Sequence, residues 1–202
     1  MHLEILVEET SAEVALRFLI PKVVNDVTFR IHTHRGKRDL IKSLPSRLRS
    51  YQRWHEQDFG VVVVVDEDRQ NCHELKARLE ELVRTAGLVT KASARAGRFQ
   101  AVTRIAVEEL EAWFLGDADA LTAAYPRVPR TFAQRAAYRV PDEVTGGTWE
   151  ALERLLQRAG YYRSGLAKIQ AARDIAQYME PSRNRSKSFR VFCDGLRALV
   201  AR

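Results

Sequence analysis

Short β-prone runs alternate with amphipathic stretches along the first half of the chain. Apolar and β-branched residues cluster in four runs that predict strands, at positions 3–7, 28–32, 60–65 and 101–107. The third run contains five consecutive valines, Val61 to Val65, a pattern typical of a central parallel strand covered on both faces. Between the runs, apolar residues recur at spacings of three and four, which predicts intervening helices.

Local signals place the ends of these helices. Thr10 and Glu13 have capping-box spacing at the start of the first helix, which Pro21 is expected to kink or end early. The second helix is expected to run to about Trp54, and Asn71 is expected to cap the third. The alternation of strand and helix predicts a Rossmann-like α/β fold with a mostly parallel sheet and right-handed crossovers.

Beyond position 108 the pattern becomes helical. Helices are expected at 149–158, 166–179 and 189–200, after a looser, proline-containing stretch at 125–141. A chain of 202 residues fits one domain, or one domain with an extension. We therefore expect an α/β core at 1–115 and a helical C-terminal extension at 116–202 that packs on it.

The composition places the chain among globular proteins. Hydrophobic residues make up 46% and charged residues 29% of it, and no apolar run approaches the roughly 20 residues that a membrane-spanning helix needs. Cys72 and Cys193 lie far apart in no metal-ligand spacing, which favours two reduced thiols. The N-terminus does not resemble a secretory signal. We expect a cytoplasmic protein without membrane contact.

The formal net charge is +7, and the positive excess is spread through both halves of the chain. Such a charge permits contact with nucleic acid, and an arginine-rich solvated surface explains it equally well. Two places stand out as candidate phosphate contacts: Arg35 and Lys37, which follow the second predicted strand, and the cluster Arg183, Arg185 and Lys187 near the C-terminus.

Carboxylates follow two of the predicted strands. Glu8 comes directly after the first strand, and Asp66 and Asp68 come directly after the third. Residues just past the carboxyl ends of parallel strands face one crevice, where converging carboxylates are most stable around a hard cation such as Mg²⁺. In an extended segment Asp66 and Asp68 project to the same side while Glu67 points away. The alternative is a turn followed by a helix-capping acid.

A further acidic segment follows the fourth predicted strand. Glu109 and Glu111 are placed to reach the same crevice and to complete a second metal position. The alternative is a charged first turn favoured by the helix dipole.

These residues resemble the Toprim-like domain, which is identified by a glutamate after its first strand and a DxD after its third. The match places Glu8 and the pair Asp66 and Asp68 in those positions. The chain also resembles, over nearly its whole length, a bacterial Toprim-like family of unknown function. The matching segments are LVEETS, FRIHTHRGK, VVVVDEDRQNC, IAVEELEAWFLGD, GGTWEAL and NRSKSF.

The resemblance implies a metal-dependent nuclease subunit, related to the overcoming-lysogenisation-defect nucleases. Members of that family are typically encoded beside an ABC-type ATPase, as in phage-defence cassettes. The implied cofactor is Mg²⁺ or Mn²⁺, with Asp66 and Asp68 as metal ligands and Glu8 as a further ligand or a general base. The substrate that the resemblance implies is DNA or RNA.

Two other functions remain open at this stage. A non-catalytic Toprim-like regulator would keep the acidic site and use its surfaces to bind the ATPase or nucleic acid. A receiver or phosphatase would instead place a key aspartate after the first strand, where this chain has Glu8.

Overall fold

The computed structural model describes residues 1–52, 58–68, 70–95 and 97–201. Four strands form one sheet in which every neighbouring pair is parallel, in the order β2-β1-β3-β4. The strands are β1 (His2–Val7), β2 (Thr28–Thr33), β3 (Phe59–Asp66) and β4 (Ala101–Ala106). The predicted α/β fold with a parallel sheet is confirmed, and the valine-rich run is a central strand.

Among the described residues, three α-helices connect the strands and five follow the last strand in the sequence. The connecting helices are α1 (Thr10–Val23), α2 (Lys37–Gln52) and α3 (Cys72–Thr85). The later helices are α4 (Glu111–Leu115), α5 (Ala118–Ala124), α6 (Thr148–Arg158), α7 (Lys168–Ala176) and α8 (Lys187–Val200). Short 3₁₀ turns occupy part of the stretch that was predicted to be loose, at Arg130–Gln134, Ala136–Tyr138 and Pro141–Glu143.

Each face of the sheet has its own apolar core. One core packs α2 and α3 against Val61, Val63 and Val65 of β3. The other packs α1, α8 and the remaining C-terminal helices against Val62 and Val64. The run of valines is explained by this arrangement, because β3 is covered on both sides and each of its five valines packs into one of the two apolar cores.

Helix ends match the sequence signals in part. Asn71 caps α3, since its side-chain oxygen accepts hydrogen bonds from the backbone N–H of His73 (2.9 Å) and Glu74 (3.1 Å). The predicted capping box at α1 is wrong, because Glu9 is the N-cap and makes no side-chain capping bond. Pro21 lies within the last turn of α1 and does not end it early. The predicted end of the second helix at Trp54 lies outside the described residues.

The C-terminal helices lie against the α1 and α8 side of the sheet. Lys22, near the end of α1, donates hydrogen bonds from its Nζ to the backbone carbonyls of Ala176 (3.3 Å), Gln177 (2.6 Å) and Met179 (2.8 Å). These carbonyls end α7, so the lysine charge meets the negative end of that helix. The predicted division into a core at 1–115 and an extension at 116–202 stays a prediction.

Two sequence expectations about the whole chain can be compared with the structure. Among the described residues, no helix combines the length and the apolar character needed to cross a bilayer. Cys72 and Cys193 are both free thiols, as predicted.

Candidate metal centre

Two strand ends are joined directly by a side chain. Glu8, one residue past β1, accepts a hydrogen bond of 2.8 Å at Oε1 from the backbone N–H of Asp66, the last residue of β3. The carbonyl of Glu8 accepts a further bond of 3.0 Å from the N–H of Gly36, which lies just past β2. The ends of three neighbouring strands therefore meet around Glu8, as the parallel order requires.

The carboxyl of Glu8 lies in a poorly solvated place. The residue is 8% exposed, and burial raises its pKa to about 7, against the lowering effects of the Asp66 N–H and the Lys37 ammonium. Charges on Asp68 and Glu9 add to the increase in pKa. Glu8 is therefore a carboxyl that takes up and releases a proton near neutral pH.

The charges of four other acids act on Asp66. Burial raises the pKa of its carboxyl well above the ordinary range, and charge repulsion from Glu111, Glu8, Asp68 and Glu9 raises it further. A poorly solvated carboxyl among four others is destabilised in its ionised form unless a cation is present. This arrangement gives physical support to the predicted grouping of Glu8 with Asp66.

Asp68 does not continue the strand. Its φ of +49° is in the left-handed region, and its N–H donates a 3.0 Å bond to the carbonyl of Glu108. The predicted extended DxD is therefore wrong, because the chain turns sharply after Asp66. Glu67 does not point freely away, since its Oε2 accepts a 3.0 Å bond from the N–H of Glu108. The alternative of Asp68 as a helix cap is also wrong, since Asn71 caps α3.

Asp68 has a cationic partner. The Nζ of Lys37, at the start of α2, lies 2.9 Å from Oδ2 of Asp68 and also donates a 3.1 Å bond to the carbonyl of Glu67. The Lys37 side chain is only 9% exposed, whereas that of Asp68 is 50% exposed. Lys37 thus lies inside the acidic site rather than on an open phosphate-binding turn.

The two acids predicted for a second metal position have different surroundings. Oε2 of Glu109 accepts bonds from the hydroxyl of Thr148 (3.0 Å) and the N–H of Trp149 (2.8 Å), so this residue caps the first turn of α6. Glu111 is buried in α4, and burial raises its pKa to about 7 although Lys168 opposes the increase. Glu111 is the one whose charge acts on Asp66 most strongly.

Sequence reasoning missed two residues of this site. The Nζ of Lys168, at the start of α7, lies 3.9 Å from Oε1 of Glu111 and 5.1 Å from the centre of the Trp149 ring. Glu9 contributes negative charge toward Asp66, Glu8 and Lys168. The position of Glu9 next to Glu8 in the sequence could have identified it as a site residue. No local sequence pattern identifies Lys168, which is about a hundred residues from the aspartates.

Two open cavities border the acidic residues. One, of about 230 Å³, is lined by Asp68, Glu108, Glu109, Gly147 and Glu150. A larger one, of about 580 Å³, runs past Glu9 and Lys168 along the first turns of α1 and α7.

The described acidic side chains offer the kind of ligand atom that a divalent cation prefers, but they do not converge on one point. Among the described residues, no three Asp, Glu, His or Cys side chains converge closely enough to hold an ion between them. The available donors are nevertheless all carboxylate oxygens, the ligands that Mg²⁺ and Mn²⁺ prefer. Burial is the main cause of the raised pKa values of Glu8, Asp66 and Glu111, and charges of neighbouring acids add to it. Glu8, Asp66 and Glu111 share raised pKa values and lie near the ends of β1, β3 and β4.

The basic residues predicted to contact nucleic acid lie in different places on the protein. Arg35 is exposed and Lys37 is engaged within the acidic site. Arg183 and Arg185 line one cavity, whereas Lys187 lines another, of about 430 Å³, beside Lys76 and Arg104.

Comparisons with known proteins give a family and one solved structure. A family model described as Domain of unknown function (DUF4276) matches residues 7–197. Among curated proteins no match was found. The chain is similar to the C-terminal region of the Xanthomonas campestris pv. campestris OLD protein, with 14% sequence identity and a TM-score of 0.48. The alignment covers 98% of this chain and 95% of that one.

Proposed function

The chain belongs to the family described as Domain of unknown function (DUF4276), and from its acidic site we propose a metal-dependent nuclease subunit of Toprim type. Its reaction is phosphodiester cleavage in DNA or RNA, with Mg²⁺ or Mn²⁺ as the cofactor. The observation that carries the proposal is the partly buried Asp66 carboxyl, which lies at the end of β3 among the charges of Glu111, Glu8 and Asp68.

Such a grouping is costly without a cation. Burial raises the pKa values of Glu8 and Glu111 to about 7, and the charges of nearby acids add to the increase. A divalent cation reverses that effect and, when bound, supplies Lewis-acid stabilisation of a phosphoryl group and of the oxygens that attack and leave it. The unfavourable energy of these acids in the metal-free protein therefore supports a bound cation.

The residues around the acids have separate tasks in this proposal. Asp66 and Glu111 hold the cation, and Glu8 is either a third ligand or a general base. A pKa near 7 suits a base that must accept a proton at neutral pH. Lys37 and Lys168 balance part of the negative charge and orient Asp68 and Glu111.

The substrate and partner follow from charge and from the Toprim-like resemblance. A net charge of +7 favours a polyanionic substrate, with Arg35, Arg185 and Lys187 as exposed contacts. An ABC-type ATPase is the proposed partner, in a system of the phage-defence kind, because the family that the chain resembles is typically encoded beside one.

A cleavage assay tests the proposal. Supercoiled plasmid, linear duplex and RNA are incubated with the protein in Mg²⁺, Mn²⁺ or EDTA, with and without the neighbouring ATPase and ATP. We expect cleavage that needs the metal and that falls at least about a hundredfold in Glu8→Ala and Asp66→Ala. Asp194→Asn, which removes an exposed carboxylate of α8, is the matched control and retains activity. Intact substrates under every condition contradict the proposal.

A regulatory subunit is the second candidate. It is favoured by the Lys37 to Asp68 ion pair, which neutralises one acid of the site within the chain itself. On that reading the protein binds its ATPase or nucleic acid without cutting. Binding of partner together with unchanged substrates in the assay above supports the regulator over the nuclease.

A further inference from the structure

Another cavity, lined in part by charged residues, lies at the far end of α4 from the acidic site. Its volume is about 380 Å³, and its floor is formed by Gly116 and Asp117, which follow α4. One wall is the 3₁₀ turn Arg130–Gln134, and the other carries Arg183 and Arg185. Three arginines therefore line one space.

Two of the three arginines are paired. Asp117 is 1% exposed and accepts bonds from Nε of Arg183 (2.8 Å) and from the N–H groups of Ala120 (3.0 Å) and Glu180 (2.8 Å). Arg183 thus neutralises a buried carboxylate that ties three segments together, and its role is structural. Arg130 pairs with Asp119 at 2.5 Å but is 74% exposed.

Arg185 differs from both. Its Nη1 donates to the backbone carbonyls of Ala133 (3.2 Å) and Arg139 (3.3 Å), so the side chain is held in place by neutral acceptors. Within the described part of the chain, no carboxylate lies within 4.0 Å of this guanidinium. Arg185 is also exposed. A fixed, accessible guanidinium with donors left over is prepared to bind an anion.

The backbone beneath Arg185 is equally constrained. Its N–H donates a 3.0 Å bond to the carbonyl of Gly116. A Cβ at position 116 would lie 2.2 Å from Oδ1 of Asn184 and 2.9 Å from the N–H of Ser186. Glycine is therefore required for segment 184–186 to lie against the cavity floor, which fixes where Arg185 begins.

We propose that this cavity binds a backbone phosphate of the nucleic acid, with Arg185 as the main contact and Arg130 as the second. The inference rests on the proposed function, because it takes nucleic acid to be the substrate. Glu111 begins α4 and Gly116 follows its end, so the two lie about 8 Å apart along the helix at ~1.5 Å per residue. Two or three nucleotides of one strand, at about 3.4 Å each, cover that distance.

Binding without cleavage is the direct test. The full chain is titrated in EDTA into fluorescein-labelled single-stranded and duplex 20-mers, and anisotropy is followed from 50 to 300 mM salt. We expect Arg185→Gln to weaken binding roughly tenfold, which corresponds to the loss of a charge-assisted phosphate contact. The slope of log Kd against log salt should fall by about 0.7 to 0.9, the contribution of one phosphate. Arg130→Gln should act in the same direction.

Matched variants and competitors make the result decisive. Arg173→Gln removes the same charge from an exposed position of α7 and should leave Kd within about twofold. Thermal melts verify that Arg185→Gln and Arg130→Gln are folded. An unchanged Kd in both folded cavity variants, or an equal loss in Arg173→Gln, overturns the proposal. So does complete competition by millimolar inorganic phosphate or ATP, because the cavity would then be a small-anion site.

The outcome is separable from the nuclease proposal. If the wild-type chain binds DNA through Arg185 but cleaves nothing with metal and partner, the phosphate cavity stands and the nuclease fails. If the chain cleaves and the cavity variants bind and cleave as the wild type does, the nuclease stands and the cavity fails.

Discussion

The carboxylate of Glu8 accepts a 2.8 Å hydrogen bond from the backbone N–H of Asp66. This bond joins the ends of β1 and β3 and holds one acid of the site against the next. Glu8 is therefore partly a structural residue, and its two oxygens are not equivalent, because Oε1 accepts the Asp66 amide bond and no such bond to Oε2 is made within the described part of the chain. A substitution at Glu8 removes this hydrogen bond together with the acid. Asp66 contributes only its backbone N–H, so its side chain can be changed without removing the bond.

Asp66→Asn is expected to change stability in opposite directions without and with metal. In EDTA at pH 8 the variant should be as stable as the wild type or more so, because it removes a charge that Glu111, Glu8 and Asp68 repel. With Mn²⁺ at about 100 times its dissociation constant, the wild type should gain about 2.7 kcal/mol and the variant much less. Thermal melts in both buffers measure this. Destabilisation in both buffers, with a wild-type midpoint that ignores Mn²⁺, contradicts the metal site.

The stability of the metal-free protein should fall as the pH rises from about 5 to about 7. Glu8 and Glu111 have pKa values raised from 4.5 to about 7, so the folded state holds protons that the unfolded state has released. Each group then costs up to about 3 kcal/mol of unfolding free energy above pH 7. Glu111→Gln should flatten the decline in denaturant titrations across this range. The exposed control Glu143→Gln should keep it, and a wild-type curve without a decline would contradict the raised pKa values.

Lys168→Gln should move metal binding to higher pH. Lys168 opposes the increase in the pKa of Glu111, so its removal leaves that carboxyl harder to ionise. The pH at which Mn²⁺ binding reaches half its plateau should rise by on the order of half a unit or more. Calorimetry between pH 6 and 9 measures the profile. Arg173→Gln, on the same helix, should not move it, and an equal shift there would show a general charge effect.

Asn71→Ala should cost about 1 kcal/mol of stability, the usual effect of losing a side-chain cap. The same measurement distinguishes the role of Asn71 from that of the nearby Asp68, which does not cap α3. Asp68→Asn should lose only its pairing with Lys37 and retain α3. Urea titrations followed by circular dichroism compare the two variants. A larger loss of helix in Asp68→Asn than in Asn71→Ala would contradict the structure at this turn.

Local patterns in the sequence were sufficient for the sheet and for the start of the site. Five valines predicted a central strand because a parallel strand covered on both faces has no polar side. Glu8 and Asp66 could be placed together because residues that follow parallel strands meet at one edge. The cap at Asn71 was predictable for a similar reason, since capping depends on the two or three residues that follow it.

Tertiary structure decided which distant residues those side chains contact. The turn at Asp68 follows from a backbone bond to Glu108, forty residues away, so a period-two pattern could not reveal it. Lys168 reaches Glu111 because α7 packs against α4, and Arg185 is separated from Lys187 because α8 begins between them. Periodicity and capping report local conformation, whereas the charge around a buried carboxyl depends on which distant helices dock there, and that is set by the packing of the whole chain.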